Sequence, residues 1–306
     1  MVSGARVACI GGAGIDRTFT VTGAPAGPSL RGRAVTRCGG VARNAAHNLT
    51  LLGVSAVLIS LAGDDDDGRA LVEELRRDGI DSRGVEIVSG ASTAQYVAVI
   101  DGDGASVFEI ADVAIFERFD RDRLARTWPL AAGAAWIVAE TNMRLDVVAA
   151  LAARTHGGSY RLALDAVSLP KAAELPAQLD GIDLLFLNAR EAEAYLAAHD
   201  AAVPAGVVER AAAVRAHGAS AVVLTDGSAG ALVATNIGVV AVPAVRAARV
   251  VDVTGAGDAL LAATIARLLA GDDLIAAVGV GVRAAALTVA TNATVRTDLA
   301  QELRAS

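Results

Sequence analysis

The sequence predicts an α/β protein with a mostly parallel central sheet that helices cover on both faces. Short apolar runs alternate with longer Ala/Leu-rich amphipathic stretches along most of the 306 residues, and such alternation is typical of strand–helix–strand units. Hydrophobic residues make up 54% of the chain and aromatic residues only 3%, so the core must be built from Ala, Val, Leu and Ile. This is enough apolar material for one large α/β domain or two small ones.

Six apolar runs are predicted to be strands, because most of them are bounded by Gly, Asp or Asn. They are RVACIG (6–11), AVLISLAG (56–63), AWIVAE (135–140), RLALDAV (161–167), DLLFLN (183–188) and AVVLTDG (221–227). Several of the amphipathic stretches end in Gly, which suits a helix C-terminus. The predicted helices are ARNAAHNLTLLG (42–53), GRALVEELRRDG (68–79), LDVVAALAARTHG (145–157), REAEAYLAAHD (190–200), VVERAAAVRAHG (207–218) and DALLAATIARLLA (258–270).

Two regions interrupt this alternation and predict a small second sheet. Residues 17–38 are polar and contain Gly and Pro, and residues 93–110 form a hairpin pattern with DGDG at the turn. We therefore predict one domain over residues 1–306, with lid strands at approximately 17–38 and 93–112. The apolar face of such a sheet needs cover, either from the main sheet or from a second subunit.

Composition and charge exclude several classes of function. A formal net charge of −7 argues against a nucleic-acid or anionic-membrane surface. No uncharged apolar run reaches about 18 residues, and the apolar stretch near the N-terminus is too short for a signal peptide. Cys9 and Cys38 lack a metal-type spacing and are expected to be reduced structural thiols. We expect a cytoplasmic protein with no nucleic-acid and no membrane partner.

The acidic run DDDD at 64–67 directly precedes the predicted helix GRALVEELRR. Acidic residues suit a solvated loop and a helix N-terminus, where the helix dipole favours negative charge. No metal chemistry is assigned to this run.

Polar side chains follow four consecutive predicted strands. They are Glu140, Asp165, Asn188, and the pair Thr225 and Asp226. Each could be an ordinary cap or turn residue. Because ligands bind beyond the carboxyl ends of the strands in an open parallel sheet, the series as a whole predicts a shared cleft.

The stretch VVDVTGAGDALLAAT (250–264) gives the strongest local signal. A β-branched run leads into Gly255-Ala256-Gly257, and a predicted helix follows. Small residues let the backbone turn sharply beside a ligand, and the first N–H groups of a helix favour an anion. The pattern indicates an anion hole without a Walker lysine, since no G-x-x-x-x-G-K-S/T occurs. Asp258 is then either a simple charge at the helix N-terminus or a general base beside a phosphoryl group.

Glycines near the N-terminus allow two further interpretations. IGGAGID lacks the G-x-G-x-x-G spacing and is not followed by a helix, so it is not a dinucleotide-binding fingerprint. Gly39-Gly40 opens a helix in which Asn44 and Asn48 share one face. Mid-helix Asn is mildly unfavourable; a buried Asn44 facing a ligand would explain that cost, and an exposed helix face is the alternative.

These residues resemble the ribokinase-like (pfkB-type) carbohydrate and nucleoside kinases over essentially the whole chain. The segments that carry the resemblance are GGAGID, CGGVARNAAHNLTLLG, AGDDDDGRALVEELRRDGID, NAREAE, VVLTDGSAG and DVTGAGDALLAAT. The last closely matches the C-terminal signature of that family, and GGVARNAAHNLTLLG matches the N-terminal one. The resemblance implies a ribokinase-like three-layer αβα sandwich with a β lid. It also implies ATP-dependent phosphorylation of a sugar hydroxyl, usually the 5′-hydroxyl of a ribose-like ring.

The resemblance also implies roles for individual residues. The catalytic group would be the base Asp258 with the anion hole of Gly255, Ala256 and Gly257. Asn188 and Glu191 would organise Mg²⁺ and the phosphates of ATP, with Glu191 acting through water, and Thr225 and Gly227 would line the nucleotide side. Asp16, Gly40 and Asn44 would hold sugar hydroxyls. A monovalent cation such as K⁺ would fall near Asp252 and Thr254.

Within this family, two segments look like those of the pseudouridine kinases. Arg43 precedes Asn44 in GGVARN, and DAVSLPK (165–171) is similar to a D-P-V-S-x-x-K pattern. Thr93, Ser168 and Lys171 are therefore candidate contacts to the base or to phosphate; for Lys171 a solvated surface position is the alternative. Two departures are Gly14, where most relatives have Asn, and Ala166, which replaces a proline.

The sequence therefore predicts a sugar or nucleoside kinase whose substrate is pseudouridine and whose product is pseudouridine 5′-phosphate. A ribokinase, or another nucleoside or sugar kinase of the same family, is the alternative enzyme. A non-catalytic sugar or nucleoside sensor on the same scaffold is the alternative of a different class. The uncovered face of the lid predicts a homodimer.

Overall fold

Thirteen strands form two sheets in the part of the chain that the computed structural model describes, residues 6–21, 31–102, 106–155, 160–200 and 202–305. In chain order they are β1 (Arg6–Ile10), β2 (Gly14–Val21), β3 (Gly32–Gly39), β4 (Ser55–Gly63), β5 (Asp81–Val88), β6 (Ala94–Ile100), β7 (Ser106–Asp112), β8 (Ala134–Glu140), β9 (Arg161–Asp165), β10 (Leu184–Asn188), β11 (Ala221–Thr225), β12 (Gly230–Thr235) and β13 (Gly238–Pro243).

Helices connect most of these strands. They are α1 (Val41–Leu51), α2 (Asp66–Arg77), α3 (Arg121–Ala131), α4 (Leu145–Thr155), α5 (Leu169–Glu174), α6 (Ala189–His199), α7 (Val207–Ala216), α8 (Ala256–Leu269), α9 (Leu274–Thr288) and α10 (Leu299–Ala305). Short 3₁₀ turns lie at Ala114–Arg118 and Gly227–Ala229. Among the helices described, none is long and apolar enough to cross a membrane.

The larger sheet has the strand order β13-β12-β11-β10-β9-β8-β1-β4-β5. All neighbours are parallel except that β12 runs antiparallel to both β11 and β13. The chain proceeds from β1 to β4 on one side and later continues from β8 on the other side of β1. This reversal of strand order is the topological switch point, where a crevice opens at the carboxyl ends of β1 and β8.

The two faces of this sheet carry two separate apolar cores, as the alternation of side chains along a strand requires. On β1, Val7 and Cys9 face one core while Ala8 and Ile10 face the other, and all are fully buried. Helices α1, α2, α8 and α9 cover the first face; α3, α4, α6 and α7 cover the second. The result is the three-layer αβα arrangement that the sequence predicts.

The smaller sheet is the predicted lid and has the order β3-β2-β6-β7. β2 pairs antiparallel with β3 and parallel with β6, and β6 pairs antiparallel with β7. The lid strands therefore begin at Gly14 and Ala94, close to the predicted 17–38 and 93–112. Parts of the predicted lid, residues 22–30 and 103–105 with the end of the DGDG turn, lie outside the described residues.

The acidic run before α2 connects the lid to the main sheet. Asp65 is the N-cap of α2 and accepts a hydrogen bond from Gly68 N (2.8 Å), and it also accepts from the backbone and hydroxyl of Thr93, just before β6. Arg17 of β2 donates to both carboxylate oxygens of Asp67, at 2.8 and 2.9 Å. The run thus serves a helix N-terminus, as predicted, and in addition holds both lid strands that adjoin it.

The predicted fold class is confirmed, and the six predicted strands and six predicted helices are present in the described residues with small shifts at their ends. The sequence analysis missed β5, β12, β13, α3, α5, α9 and α10. The interior Pro129 of α3 and the glycines Gly279 and Gly281 of α9 argue locally against a helix. β5 is an edge strand in which charged and apolar residues mix, so it lacks the apolar run of a buried strand.

Candidate active site

A cavity of about 620 Å³ opens at the carboxyl ends of β1, β9, β10 and β11, beneath the lid. It contains the switch point between β1 and β8, where ligands bind in open α/β sheets. Most of the residues to which the sequence analysis assigns a function line it: Asp16, Gly40, Asn44, Asn188, Glu191, Thr225, Thr254, Gly255, Gly257 and Asp258. The strand-end residue Asp165 lies on its wall as well.

The wall opposite the lid is the start of α8, and Gly255 makes its geometry possible. Gly255 is the N-cap in a left-handed conformation with φ 79°, and a Cβ there would lie 2.0 Å from the carbonyl oxygen of Thr294. Only glycine fits both conditions. Ala256 is the first helical residue, and a Cβ on Gly257 would meet nothing within 4 Å. The first N–H groups of a helix have no partner within the helix. The Ala256 N–H donates to Val253 O before the helix at 3.3 Å, a long hydrogen bond that an anion would replace, and the open space at Gly257 suits an anion.

Asp258 lies in the first turn of α8 with its carboxylate in the cavity. The residue is 8% exposed, and its Oδ2 accepts a hydrogen bond of 2.8 Å from Nδ2 of Asn44. The pKa of Asp258 is raised to about 7, first by burial and then by the Asp16 and Glu140 carboxylates, while the Asn44 hydrogen bond and Arg43 oppose the shift. A carboxyl group with this pKa is a stronger base than an ordinary aspartate and is still ionised to a large extent at neutral pH.

Other carboxyl groups share this low-dielectric region. Burial raises the pKa of Glu140 to about 7 and that of Asp16 to about 6. The pKa of Asp165 is raised well above its usual range, first by burial and then by the Asp258 carboxylate. Like charges this close disfavour simultaneous ionisation, so the cavity favours bound protons, hydroxyl donors or cations near these groups.

Asn188 and Glu191 form a capping box at the start of α6. Oδ1 of Asn188 accepts from the backbone N of Arg190 (3.0 Å) and of Glu191 (2.9 Å), and a carboxylate oxygen of Glu191 accepts from Asn188 N at 2.8 Å. Capping explains this N-x-x-E spacing structurally. Both side chains also line the cavity, and carboxylate oxygens are ligands that Mg²⁺ accepts together with water and phosphate. The residues therefore fit a water-mediated Mg²⁺ site.

The predicted metal ligands differ in whether they line the cavity. Among the described residues there is no group of three or more His, Cys, Asp or Glu that could hold a metal ion by itself, so a divalent ion here would depend on water and substrate oxygens. Asp252 stands outside the cavity, and its Oδ1 accepts from Thr254 N at 2.9 Å. Thr254 lines the cavity beside Gly255. This turn supplies oxygen atoms of the kind K⁺ prefers, next to the anion hole.

The side of the cavity under the lid holds Asp16 and the start of α1. A Cβ on Gly39 would lie 2.0 Å from Oδ2 of Asp16, so the carboxylate packs directly on that glycine. Gly40 is the N-cap of α1 with φ 98°. Asn44 is buried at 4% exposure and faces the cavity, which is the buried alternative of the sequence analysis.

Five predicted positions do not line the cavity, and the first residue of α8, Ala256, is one of them. The hydroxyl of Thr93 donates to Asp65 and accepts from Gly63 N, so the buried Thr93 ties the start of lid strand β6 to the segment between β4 and α2. Lys171 pairs with Glu174 at 3.1 Å on α5, although its charge lowers the pKa of Glu140. Gly227 lies two residues beyond Thr225 in a 3₁₀ turn, and Asp252 lies at the rim. These positions stay predictions without a contact to the cavity.

Both departures from the family pattern have a structural reason. Gly14 lies between β3 and β6, where a Cβ would be 2.3 Å from the carbonyl oxygen of Ala94, so a side chain at this position needs a different lid geometry. Ala166 donates its N–H to Phe186 O at 3.0 Å, a hydrogen bond that proline cannot make. The next residue, Val167, has φ 62° and lines the cavity with Ser168.

The sequence analysis missed several residues that the structure places at the cavity. Glu140 stood only among the strand-end polar residues; it is fully buried and does not line the cavity itself, but its carboxylate accepts from Gly12 N (2.5 Å) and Asn142 N (2.6 Å), two residues that do. Tyr96 and Glu109 reach the cavity from the lid and are hydrogen-bonded to each other. Strand alternation gives a signal for Tyr96, because it pairs with Asp16 in register.

This arrangement combines a helix start that suits an anion with a buried carboxylate in one cavity. A phosphoryl group at the N-terminus of α8 would lie beside Asp258, and a hydroxyl group held near Asp16 and Asn44 would lie on the other side of that carboxylate. Such geometry suits proton removal from an alcohol during phosphoryl transfer.

Comparisons with known proteins agree with this chemistry. The family model described as pfkB family carbohydrate kinase matches residues 5–299. A pseudouridine kinase of Escherichia coli (strain K12) is 31% identical over 224 residues, which are 73% of this chain and 71% of that protein. A solved carbohydrate kinase from Agrobacterium tumefaciens is 30% identical with a TM-score of 0.79, covering 98% of this chain and 96% of that one. A ribokinase from Thermotoga maritima superposes with a TM-score of 0.86 at 19% identity, over 99% of both chains.

The conformation of Gly255 gives a direct stability test. We expect Gly255→Ala to lower the free energy of unfolding by more than the about 1–2 kcal/mol of left-handed strain, because the new Cβ also overlaps Thr294 O. Gly271 is a matched control: it has φ 98° but open space around its Cβ position, so Gly271→Ala carries the strain alone. Urea unfolding measures both. Equal losses for the two variants would contradict the close approach at Gly255.

Proposed function

Since the chain belongs to the pfkB family of carbohydrate kinases, we propose that it transfers the γ-phosphoryl group of ATP to the 5′-hydroxyl of pseudouridine. The product is then pseudouridine 5′-phosphate. As a member of this family the chain is a sugar or nucleoside kinase, a phosphotransferase with an alcohol acceptor. The proposal concerns the acceptor and the residues that carry the reaction.

One observation carries the catalytic part of the proposal. The carboxylate of Asp258 is buried in the first turn of α8, beside the anion-binding helix start and hydrogen-bonded to Asn44. In the reaction, Asp258 takes the proton of the 5′-hydroxyl. The hydroxyl oxygen forms a bond to the γ-phosphorus as the bond to the β-phosphate oxygen breaks, and ADP leaves. The N–H groups of Gly255, Ala256 and Gly257 balance the charge on the phosphoryl oxygens.

The nucleotide occupies the side of the cavity near β10 and β11. Asn188 and Glu191 at the start of α6 would hold Mg²⁺ through water, and Thr225 with the turn at Gly227 would border the nucleotide. Mg²⁺ supplies charge neutralisation at the phosphates when it is bound. Asp252 and Thr254 would hold a K⁺ ion, which would add positive charge near the N-terminus of α8.

The acceptor occupies the side under the lid. Asp16, Gly40 and Asn44 face this space and have the hydrogen-bonding groups that sugar hydroxyls need. The lid covers the sugar and excludes water, which limits hydrolysis of ATP. The assignment to pseudouridine is supported by the similarity to the Escherichia coli pseudouridine kinase and by the residues Arg43 and DAVSLPK (165–171). Thr93 and Lys171 would reach the acceptor only after a rearrangement.

Two other functions are kept as alternatives. The chain could phosphorylate ribose or another nucleoside, because the fold of a ribokinase matches over nearly its whole length. A non-catalytic sensor is the alternative of another class; the buried base beside an anion-binding helix start argues against it, since a sensor does not need to retain a base.

The base assignment predicts a specific loss of turnover. We expect Asp258→Asn to lower kcat by about 10²–10⁴-fold without lowering Tm, since a neutral amide replaces a buried carboxylate. Asp66→Asn is the matched control, because Asp66 also lies in the first turn of a helix but its side chain is exposed. A coupled ADP assay measures both. Substantial kcat in Asp258→Asn would contradict the assignment.

The raised pKa of Asp258 predicts the direction of the pH dependence. Because the reaction needs the ionised carboxylate, kcat/KM should fall as the pH drops through about 7, the pKa of Asp258. Glu140 and Asp16 have pKa values of about 7 and 6 nearby. The fall of kcat/KM at acid pH therefore reports the coupled titration of all three carboxyl groups. The part of this pH dependence that disappears in Asp258→Asn comes from the titration of Asp258. An acid limb centred near the ordinary aspartate pKa of about 4 would contradict this environment.

A substrate panel tests the acceptor. Pseudouridine, uridine, adenosine, ribose and fructose are compared by ADP release, with and without K⁺. We expect the highest kcat/KM with pseudouridine, and higher activity with K⁺ because of the oxygen atoms near Asp252. Ribose equal to or better than pseudouridine would support the ribokinase alternative. Thermal stabilisation by a ligand without ADP formation would support a sensor.

The outer face of the lid supports a homodimer. Phe19, Phe108 and Ile110 lie on the face turned away from Asp16 and are 37%, 49% and 57% exposed. A second copy of this sheet would cover them. We expect Phe108→Asp to convert the dimer to a monomer in sedimentation equilibrium, while Ile237→Asp, at a 90% exposed position away from the lid, leaves the dimer intact. A monomeric wild-type protein, or a dimeric Phe108→Asp variant, would contradict this.

A further inference from the structure

Arg43 is a buried arginine one residue from the cavity-facing Asn44. It is 4% exposed, and successive side chains of a helix diverge, so Arg43 points from α1 toward the end of α2. Its two partners are carboxylates, one on α2 and one at the C-cap of that helix: Nη2 donates to Glu74 Oε1 and to Asp78 Oδ2, each at 2.9 Å. These pairs hold the guanidinium in one place, because a planar fork with two anchored contacts has little freedom to turn.

The other terminal nitrogen of Arg43 contacts the cavity residue. Nη1 donates to Oδ1 of Asn44 at 3.2 Å, while Nδ2 of the same Asn44 donates to Asp258 at 2.8 Å. A guanidinium can only donate and an ionised carboxylate can only accept. The oxygen end of the Asn44 amide must therefore face Arg43, and its NH₂ end must face Asp258.

Without Arg43 this orientation loses one of its two constraints, and only the Asp258 carboxylate still selects it. The amide of Asn44 could then turn by half a rotation and present its oxygen to the Asp258 carboxylate, where two acceptors would repel. A flipped amide would release the carboxylate from its only hydrogen bond among those that the structure gives for Asp258 in the described residues. The base would lose both its position and a group that stabilises its ionised form.

The charge of Arg43 acts in the same direction. The charged or titratable groups around Asp258 come from several elements: Asp16 on β2, Glu140 on β8, Asp165 on β9, and Arg43 on α1. His47, also on α1, stays neutral near pH 7, because burial and Arg43 lower its pKa to about 4. Among these neighbours Arg43 is the positive one, and it lowers the pKa values of Asp258 and Asp16.

We propose that Arg43 is a positioning residue for phosphoryl transfer: held by Glu74 and Asp78, it orients the amide of Asn44, which in turn orients the carboxylate of Asp258. Arg43 does not line the cavity and touches no substrate. The inference rests on the proposed role of Asp258 as the base. It links the GGVARN segment, through α2, to the catalytic group at the start of α8.

A purely structural role for Arg43, tying α1 to α2, is the competing explanation. It would lower stability but leave the reaction unchanged in the folded enzyme. The two explanations differ in kcat, in the acid limb of kcat/KM and in the dependence on Asn44, and these quantities are what the experiment measures.

The experiment uses the full chain and compares Arg43→Met with Arg43→Lys, each with and without Asn44→Ala. Arg210→Met is the matched control: Arg210 is a mostly buried arginine paired with Glu193, outside the cavity. The acceptor is the one with the highest activity in the substrate panel. The readouts are kcat and KM from ADP release, the pH profile of kcat/KM, and Tm.

We expect Arg43→Met to lower kcat by about 10-fold or more, the scale of a mispositioned catalytic group, with a smaller change in KM. Its acid limb should move to higher pH, since the base loses a cation and a hydrogen bond. Arg43→Lys keeps a charge and a donor and should rescue part of kcat and most of the acid limb. In the Asn44→Ala background at about pH 9, where the base is ionised, Arg43→Met should change kcat by less than about two-fold.

Three results would overturn the inference. The first is an Arg43→Met variant with a lower Tm but with the kcat and the acid limb of the wild-type protein. This result would leave Arg43 only a structural role. The second is an equal loss of kcat with and without Asn44, and the third is a loss as large in Arg210→Met. If Arg43→Met does not fold, Arg43→Gln replaces it: the acid limb should move upward relative to Arg43→Lys, and identical limbs would overturn the inference.

The failure of this inference is distinguishable from failure of the proposed function. An inactive Asp258→Asn with a fully active Arg43→Met would remove only the role of Arg43. An active Asp258→Asn would remove the base itself, and the inference with it.

Discussion

The buried carboxylate of Asp258 is the constraint on which the rest of the site depends. A carboxyl group so buried is inclined to keep its proton, and its pKa of about 7 reflects that cost. The surrounding residues must therefore stabilise the ionised form of Asp258 in place of water. Asn44 does this by a hydrogen bond, and Arg43 does it by charge and by orienting Asn44. The other carboxyl groups of the cavity act in the opposite direction, which makes the balance sensitive to whatever binds there.

The fold brings these groups together by the way its strands are ordered. β1 is central, and the chain continues on one side of it toward α1 and α2 and later on the other side toward β8, so the crevice between β1 and β8 receives residues from distant parts of the sequence. Asn44 and Asp258 meet there although 214 positions separate them. Glycine controls the close approaches: Gly255 lets α8 begin against Thr294. The lid strands then depend on the acidic run before α2, where Asp65 and Asp67 hold them.

Much of the fold and part of the site could be predicted from the sequence, because both depend on local pattern. Buried parallel strands are apolar runs, and the start of α8 can be recognised in the sequence by Gly255 followed by Asp258. The antiparallel pair β12–β13 consists of short runs of small apolar residues, and α9 is apolar but contains Gly279 and Gly281, so the local pattern does not tell strand from helix there. The same limit applies to Thr93, whose hydroxyl donates a hydrogen bond to Asp65 before α2. It applies also to Tyr96 and Glu109, which reach the cavity only because the lid folds over it. The partners of Arg43 lie on another helix, so no local pattern could reveal its contact with Asn44.

The most direct test of this account is the titration of the Asp258 side chain itself. Carboxyl ¹³C chemical shifts can be followed against pH in the full chain, with the Asp258 signal assigned by its disappearance in Asp258→Asn. We expect a midpoint near 7, as burial among other carboxyl groups requires, and a further rise when Arg43 is replaced by Met. A midpoint near the ordinary aspartate value of about 4, unaffected by Arg43, would contradict the claim that a buried carboxylate held through Asn44 is the base.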